Sequence, residues 1–358
     1  MAREKSLTKL SAEEITGVYV TFDRLDPDTG AGKVCSHEIE ALKRVVEVKK
    51  VLSRVDLVAE KIYGFNPFLM DYFAAELLPE AEFAHLSCSP GVSILRRVKP
   101  KRYVVNIVAH DLKTSIEEHE RLYGVGTYPF RHNTDPFLHS LLLRHAEEAD
   151  VVITPSTGSS AWIEANLKVR KVAVIPHGCD LPEKTPPYPE KFTVGYMGAH
   201  GPDKGLIYLL IAWNHLRLDS ELVFAGPCCE TLKPWIARFC PDGRTRLLGW
   251  VKEPMDFFRE VSCIVAPSVT EGFGLLTLES MAHGRPPIVS TGAGSSDLVN
   301  KRCGIKVAPR RPDQIAEAIL EMRDKYEKLG REARRKASDY RWSLIEDRYE
   351  ELYRSLLE

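Results

Sequence analysis

The sequence predicts a protein of the α/β class, built from two doubly wound parallel-sheet domains that face each other across a cleft. Three observations lead to this prediction. Short β-branched runs alternate with longer helical patterns, the alternation begins again near residue 192, and a proline-rich stretch separates the two series. Such alternation is typical of βαβ units. The 358 residues also exceed one ordinary core, since domains usually contain about 100 to 200 residues.

The first series contains four runs that predict strands, at residues 18–22, 103–108, 151–155 and 171–176. The second series predicts five more strands, at residues 192–198, 221–226, 245–251, 263–268 and 286–291. These runs are rich in β-branched residues, which suit a pleated and buried strand. The segments between them carry the helical patterns that a parallel sheet needs for its crossovers.

Residues 179–191 are predicted to be a linker, because proline is too frequent there for a helix or a central strand. This places one domain at residues 1–178 and a second at residues 192–336. Residues 337–358 are predicted to form a helix that packs on a domain surface. Its apolar face would consist of residues at helical spacing, namely Trp342, Ile345, Tyr349, Leu352 and Leu356.

The composition narrows the possible partners. Lys and Arg number 49 against 50 Asp and Glu, so no overall field attracts nucleic acid or an acidic membrane. No apolar run reaches the roughly 20 residues that span a bilayer, and the first residues lack a secretory pattern, so a cytoplasmic location is expected. The eight scattered cysteines suggest reduced thiols, not a disulfide framework or a zinc site.

Residues 267–291 carry the most informative pattern. A predicted strand ends at Pro267, a loop with Gly272 and Gly274 follows, and a helix is predicted from Leu275 until Gly284 stops it. Glycines let the backbone approach a ligand, and a helix N-terminus offers N–H donors to a diphosphate. Ligands also bind at the carboxyl edges of doubly wound sheets. The segment predicts an anion site, although a βα turn that needs glycine for its geometry would give the same pattern.

Several motifs occur in order along the chain. They are Gly30-Ala31-Gly32, His110-Asp111, Pro176-His177-Gly178-Cys179-Asp180, Gly198 with Lys204-Gly205, residues 247–251, Glu271-Gly272-Phe273-Gly274, Glu279 with seven residues between it and Glu271, the set Ala282, Gly284 and Pro286, and Tyr340-Arg341-Trp342. Together they resemble the retaining family-four glycosyltransferases, also called glycosyl transferases group 1. The resemblance implies the GT-B fold, with two Rossmann-like domains. It also implies transfer of a hexose from a nucleotide-sugar donor to a hydroxyl acceptor, with no cofactor and no metal.

The resemblance also implies roles for residues of the second domain, which would bind the nucleotide sugar. Glu279 would hold the ribose hydroxyls, and Glu271 would contact the transferred sugar. Lys204 would add positive charge at the diphosphate. Backbone N–H groups would hold the distal phosphate, and they belong to Phe273, Gly274, Leu275 and Leu276.

Further roles follow from the same resemblance. The loop with Trp250 and Val251 would border the base. Gly30 and Gly32 would close on the phosphates from the first domain, which would bind the acceptor. Gly198 of the second domain is also predicted to bind the donor. His110 would lie beside the sugar and, with Glu271 and Lys204, is a predicted catalytic residue.

Two positions depart from the family pattern. Many relatives have an arginine directly after the glycine at Gly198, but this chain has Ala199. One positive charge at the diphosphate is therefore missing, and either Lys33 or His200 is a candidate to replace it. Asp297 stands where a glutamate is common. The sequence does not determine whether Ala199 weakens the sugar donor's binding or abolishes activity.

Weaker patterns have simpler explanations. Asp26-Pro27-Asp28 resembles an Asp-x-Asp metal motif, but these residues also form ordinary turns. Residues 30–33 are not a P-loop, because Pro27 and Val34 replace the glycine and the hydroxyl residue that this motif requires. The histidines His119, His132, His139 and His145 lack metal-ligand spacing.

A basic run lies in the first domain and consists of Arg96, Arg97, Lys99, Lys101 and Arg102. It predicts either a solvated turn, which is the preferred interpretation, or a weak contact with an anionic membrane surface.

Two other functional classes are compatible with the predicted fold. A nucleotide-sugar epimerase would bind the same donor without transferring its sugar. Adding an acceptor would then not cause free nucleotide to accumulate, as it would for a transferase. A non-catalytic partner could retain the fold, and Ala199 is the feature that favours it. The acceptor would be chosen by residues 64–70, 89–97 and 111–136, which carry no motif. The sugar, the base and the oligomeric state do not follow from the sequence.

Overall fold

The structure is a computed structural model and describes residues 15–21, 25–26, 29–56, 67–87, 91–108, 112–124, 143, 145–227 and 229–358. Within these residues the chain forms two six-stranded sheets in which every pairing is parallel. The predicted α/β fold class, with two parallel sheets in one chain, is confirmed.

The first sheet is formed by β1 (Thr16–Thr21), β2 (Glu47–Leu52), β3 (Phe83–Ser87), β4 (Arg102–Asn106), β5 (Val151–Thr154) and β6 (Val172–Val174). Its strand order is β2-β1-β3-β4-β5-β6. The second sheet is formed by β7 (Thr193–Met197), β8 (Glu221–Ala225), β9 (Thr245–Gly249), β10 (Cys263–Ala266), β11 (Pro287–Ser290) and β12 (Ile305–Val307). Its order is β12-β11-β10-β7-β8-β9. In both sheets the chain first adds strands on one side of the first strand and then crosses to add the others on its opposite side.

Helices connect the strands. In the first half they are α1 (Gly30–Lys43), α2 (Pro67–Glu76), α3 (Val92–Val98), α4 (Leu112–Tyr123) and α5 (Thr157–Asn166). In the second half they are α6 (Leu206–His215), α7 (Lys233–Phe239), α8 (Pro254–Glu260), α9 (Leu275–Ala282), α10 (Pro312–Arg323), α11 (Tyr326–Ala337) and α12 (Trp342–Leu357). Two short 3₁₀ helices near the cleft cover Pro202–Lys204 and Gly294–Leu298.

Three strands were not predicted from the sequence. Strand β2 has the sequence EVKKVL and is mostly accessible at the sheet edge, so charged residues obscure its period. Strand β3 is fully buried but contains His85 and Ser87 within five residues. Strand β12 has only three residues. The nine predicted strands are all present.

Buried apolar side chains cover both faces of the central strands. All four residues of β5 and all four of β10 are buried, as expected for strands with helices on both sides. In the second half the largest buried side chain is Trp213 of α6, which packs in the same core as Phe224. A fully buried apolar side chain contributes about 1.5 to 3 kcal/mol, so these layers hold each sheet and its helices together.

The last helix, α12, packs against α1 of the first half. Trp342, Ile345, Tyr349 and Tyr353 are buried in the core of the first sheet's layer. The Tyr349 hydroxyl also donates a hydrogen bond of 3.0 Å to the buried Glu38 carboxylate of α1. The final residues of the chain therefore complete a core that its first residues begin.

Beside Glu38 lies a second buried polar residue, His85 of β3. Its Nδ1 lies 2.7 Å from the Tyr353 hydroxyl of α12. Burial lowers the pKa of His85 to about 3, so the ring is neutral at physiological pH. Helix α12 thus provides hydrogen-bonding groups for two buried polar side chains, in addition to the bond that Glu38 accepts from the Tyr19 hydroxyl of β1 at 2.5 Å.

A buried carboxylate also joins the two halves. Glu118 of α4 is fully buried and accepts hydrogen bonds from the Tyr208 hydroxyl at 2.7 Å and from Arg310 Nε at 2.8 Å. Arg121, one turn further along α4, donates to the same carboxylate at 2.7 Å. Tyr208 and Arg310 belong to the second half. These bonds hold α4 against the second half next to the Pro202–Lys204 turn.

None of the helices in the described ranges combines the length and apolarity that crossing a membrane requires.

Candidate active site

A cleft of about 580 Å³ lies between the two halves, at the carboxyl ends of their strands. Residues after β1, β3 and β4 face it from one side, and residues after β7, β9 and β10 face it from the other. The structure brings most of the predicted site residues together here, namely Gly30, Gly198, Lys204, Trp250, Val251, Glu271, Phe273, Gly274, Leu275, Leu276 and Glu279.

Two predicted residues are not placed in the cleft. Gly32 is buried behind it, where its N–H donates to the Thr29 side chain that caps α1. A Cβ at Gly32 would lie 2.0 Å from the Asp26 carbonyl oxygen, so glycine is needed there for packing. His110 lies outside the described residues, as does Asp111.

The loop before α9 presents backbone amides to the cleft. Gly274 precedes the helix with φ of 93°, a left-handed conformation that favours glycine, and no side chain caps the helix at this position. The first N–H groups of an α-helix have no partner within the helix. The N-terminus of α9, with Leu275 and Leu276 in its first turn, can therefore bind an anion such as a phosphate group.

Lys204 and Glu271 form an ion pair at the wall of the cleft. Lys204 Nζ lies 2.8 Å from Glu271 Oε1 and 3.6 Å from Asp203 Oδ2. Ser268 Oγ donates to the other Glu271 oxygen at 2.6 Å. Burial opposes the charge of the lysine, but the carboxylates of Glu271 and Asp203 outweigh it and raise the pKa of Lys204. The ammonium group is therefore present at physiological pH and points into a partly buried site.

The residue after Lys204 must be glycine. Gly205 has φ of 67°, and a Cβ there would lie 2.2 Å from the Pro267 carbonyl oxygen. This close approach packs the Pro202–Lys204 turn against the end of β10, next to the loop that contains Glu271. Glycine thus allows Lys204 and Glu271, which are 67 residues apart, to meet.

Glu279 lies on α9 with its side chain partly buried in the cleft. Burial raises the pKa of Glu279, and the charge of Lys33 partly offsets this shift. Its carboxylate makes no hydrogen bond or ion pair with any residue that the structure describes. Two carboxylate oxygens are thus available to accept hydrogen bonds from the hydroxyl groups of a ligand.

The first half contributes the start of α1. A Cβ added to Gly30 would lie 2.7 Å from Leu275 Cδ1, so the first turns of α1 and α9 are in close contact across the cleft. Lys33, in the first turn of α1, faces the same space. Trp250 lies at the opposite rim, where 61% of its surface is exposed and its ring can stack on a flat ligand.

The sequence analysis missed the contacts by which the first half holds the loop at Glu271. Ser156 Oγ and Ser159 Oγ donate to the Gly272 carbonyl oxygen at 2.9 and 3.2 Å. Thr157 donates through its N–H and its hydroxyl to Asp297, at 2.8 and 2.9 Å. Asp297 therefore joins the two halves. No pattern within residues 156–159 predicted this, because serine and threonine at the start of a helix are explained by capping alone.

His177 and His200 are both near the cleft but differ from catalytic histidines. Burial lowers the pKa of His177 to about 4, and its ring packs against Phe273 with centroids 4.8 Å apart. His200 does not line the cleft, and its Nδ1 lies 2.9 Å from the Pro227 carbonyl oxygen. Burial lowers its pKa as well. Both rings are neutral at physiological pH.

In the basic run, three of the five cations have carboxylate partners. Lys99 lies 2.9 Å from Glu80, Lys101 pairs with Glu82, and Arg102 lies 3.7 Å from Asp150. Arg96 and Arg97 are exposed, and no ion pair joins either of them to another residue of the described ranges.

Potential metal ligands are also scattered. Asp28, His132 and His139 lie outside the described residues. Among the residues that are described, no group of three or more His, Cys, Asp or Glu side chains could hold a metal ion. Five of the cysteines in the described residues are buried and free, namely Cys35, Cys179, Cys240, Cys263 and Cys303.

Comparison with known proteins finds a family similarity in the second half of the chain. Residues 191–325 match the family described as Glycosyl transferases group 1. An uncharacterized glycosyltransferase of Methanocaldococcus jannaschii is 31% identical over 130 residues, which cover 34% of this chain and 33% of that relative. The chain spans less than two thirds of the length of the curated relatives that it matches.

Solved structures extend the likeness to the whole fold. Sucrose-phosphate synthase from Thermosynechococcus elongatus superposes with a TM-score of 0.77 and 17% identity over 95% of this chain and 99% of that one. HepE from Anabaena, in complex with UDP-glucose, gives a TM-score of 0.71 and 16% identity over 96% and 100%. The fold is thus that of the GT-B glycosyltransferases, and residues 191–325 are similar to the glycosyl transferases group 1 family.

Proposed function

We propose that the protein is a retaining glycosyltransferase that moves a hexose from a nucleotide-diphosphate sugar to a hydroxyl acceptor, without a metal ion. The observation that carries the proposal is the arrangement in the cleft. Lys204 and the first turn of α9 present positive charge beside Glu279, whose carboxylate has no partner among the described residues. This arrangement suits a diphosphate attached to a ribose. The binding of UDP-glucose by HepE, which shares the fold, is consistent with such a ligand.

In the proposed mechanism the bond between the anomeric carbon and the phosphate oxygen breaks, and its electron pair passes to the departing diphosphate. Lys204 and the amides of α9 stabilise the charge as it develops, where fixed dipoles are most effective. The acceptor oxygen bonds to the anomeric carbon on the same face, and its proton passes to the departing phosphate. His110 is proposed to position the sugar.

A double displacement is less suited to this site. It needs a carboxylate about 3 Å from the anomeric carbon, on the face opposite the leaving group. Both oxygens of Glu271 are held, by Lys204 and by Ser268. Glu279 is assigned to the ribose. We therefore propose the front-face route.

The stereochemistry of the product tests the proposed function. With an α-linked nucleotide sugar and an acceptor found by screening, the new glycosidic bond should be α, as read from the anomeric coupling in the NMR spectrum of the first product. A β-linked product would contradict retention. A trapped glycosyl-enzyme would keep retention but exclude the front-face route.

Activity should persist in EDTA, because Lys204 and the helix amides are proposed to neutralise the diphosphate in place of a metal ion. Initial rates in about 1 mM EDTA should match those in buffer within about twofold, whereas a metal-dependent transferase would lose its Lewis acid. Loss of transfer in EDTA that manganese restores would overturn this part of the proposal.

The same measurements distinguish the alternative functions. An epimerase would convert the nucleotide sugar without an acceptor and would release no free nucleotide, whereas a transferase releases nucleotide when the acceptor is added. A non-catalytic partner would do neither. Ala199, which leaves one charge of the family pattern unfilled, is the feature that favours this last function.

A cytoplasmic location with a weak contact to an anionic membrane surface is a secondary part of the proposal. It now depends on Arg96 and Arg97, because the other three cations of the basic run have carboxylate partners. Each free cation near such a surface adds about 1 kcal/mol. Sedimentation with phosphatidylglycerol vesicles would measure this contact, and equal sedimentation with neutral vesicles would contradict it.

A further inference from the structure

The charges that line the cleft do not balance those of a diphosphate. On the side of the second half, Lys204 is shared between Glu271 and Asp203, so one positive charge meets two negative ones. Ala199 adds no charge where an arginine would have done so. A diphosphate bound beside this cluster therefore needs another cation, because an uncompensated charge is costly in a partly buried site.

Lys33 is in the right place to be that cation. It lies in the first turn of α1, which contacts the first turn of α9 through Gly30 and Leu275. The Lys33 side chain lines the cleft and is 31% exposed. Its charge also acts on Glu279, the α9 carboxylate proposed to hold the ribose. Lys33 thus faces the same space as the first turn of α9, where the distal phosphate is proposed to bind.

The present partner of Lys33 is a weak one. Its Nζ lies 3.9 Å from Asp180 Oδ2, and the Asp180 side chain is 75% exposed. Ion pairs of this kind are worth about 0 to 1 kcal/mol, because water screens them. Exchanging this carboxylate for a diphosphate would cost little, so Lys33 is available to a ligand.

His200, the other candidate for the missing charge, does not fit. It lies outside the lining of the cleft, and its Nδ1 is next to the Pro227 carbonyl oxygen. Its ring is neutral at physiological pH, as described above. A neutral ring whose Nδ1 is already next to a backbone carbonyl cannot supply the missing positive charge at the diphosphate.

We propose that Lys33 supplies the second positive charge to the diphosphate of the nucleotide sugar and takes the place of the arginine that Ala199 lacks. This inference rests on the proposed function. The diphosphate would then be held by one lysine from each half, Lys33 and Lys204. Because α1 adjoins the first turn of α9, Lys33 would act on the distal phosphate, so its effect should depend on whether the nucleotide carries that phosphate.

The experiment compares nucleoside diphosphates with monophosphates. UDP, GDP, ADP and CDP are first screened by calorimetry against the wild-type protein, and the base that binds is then used as both diphosphate and monophosphate. Lys33→Ala should weaken the diphosphate about 10- to 100-fold, the value of a lost charge-assisted hydrogen bond, and change the monophosphate less than about threefold. Lys33→Arg should retain most of the affinity.

A matched control lies in the same helix. Lys43, in the last turn of α1, pairs with Glu40 at 2.7 Å on the exposed surface, and Lys43→Ala should leave both affinities unchanged. Equal binding of the diphosphate by Lys33→Ala and wild type would overturn the inference alone, as would equal weakening of both nucleotides. If the wild type binds none of the four diphosphates, the proposed function fails together with the inference.

Discussion

Replacing Lys204 by alanine should lower turnover about 100- to 1000-fold, which is the cost of removing one fixed charge or hydrogen-bond donor from a developing anion. Lys204 is held by Glu271 and Asp203, which raise its pKa, so the wild-type group is charged and already in position. Its interaction should therefore strengthen as the leaving diphosphate gains charge. The affinity for the sugar donor should fall less than the turnover, which steady-state kinetics and calorimetry together measure.

Two further variants make this result interpretable. Lys204→Ala leaves Glu271 without its cation, and the double variant Lys204→Ala/Glu271→Gln removes that unpaired charge. If turnover recovered in the double variant, the loss would come from the stranded glutamate and not from the missing lysine. Lys191→Ala is the surface control, because Lys191 pairs with the exposed Asp219. A donor KM that rises with kcat unchanged would assign Lys204 to binding alone.

Replacing Glu279 by alanine should weaken nucleotide binding by about 1.5 to 3 kcal/mol for each charge-assisted hydrogen bond to the ribose, or about 10- to 150-fold. The carboxylate lies in the cleft with no partner among the described side chains, so a ligand hydroxyl would be its first hydrogen-bond donor. Burial raises the pKa of Glu279. Wild-type affinity should therefore begin to fall, as the pH is lowered, at a higher pH than for an exposed glutamate.

The deoxynucleotide provides the decisive comparison. The wild type should bind the ribonucleotide more tightly than its 2′-deoxy form. Glu279→Ala should lose this preference, because the carboxylate that accepts a hydrogen bond from the 2′-hydroxyl is removed. Glu317→Ala, at an exposed position of α10, is the control and should change neither affinity. If Glu279→Ala kept the full preference for ribose, another residue would hold the hydroxyl groups.

The sequence predicted the fold well where local patterns are strong. Val and Ile runs marked β5 and β10, whose residues are all buried, and the proline-rich stretch separated the two series of strands. Strand β3 was missed although it is just as buried, because His85 breaks its apolar run. Tyr353 forms a hydrogen bond with that buried histidine, and the two residues are 268 positions apart. Such long-range compensation cannot be read from a local window.

The site was predicted to a similar extent. The residues of the motif around Glu271 line the cleft as predicted, because a single loop and the helix that follows it contain all of them. The ion pair of Glu271 with Lys204 and the hydrogen bond from Ser156 to the Gly272 carbonyl join distant segments of the chain. No local sequence pattern predicts them. Gly32 was assigned to the phosphates by its position in a glycine motif, whereas the structure uses it to pack α1 against Asp26. His110 lies outside the described residues, and its role stays a prediction.

The packing of α12 against α1 has a consequence for protein synthesis. Residues of the first sheet leave the ribosome early, yet the hydrogen bonds of Tyr349 with Glu38 and of Tyr353 with His85 form only after helix α12 has been synthesised. Domains generally fold in order as they emerge. Here the first sheet lacks the hydrogen bonds of Tyr349 and Tyr353 until helix α12 has been synthesised. A nascent chain stalled before Tyr349 should therefore be cleaved by protease in its first half, although its second sheet is already complete.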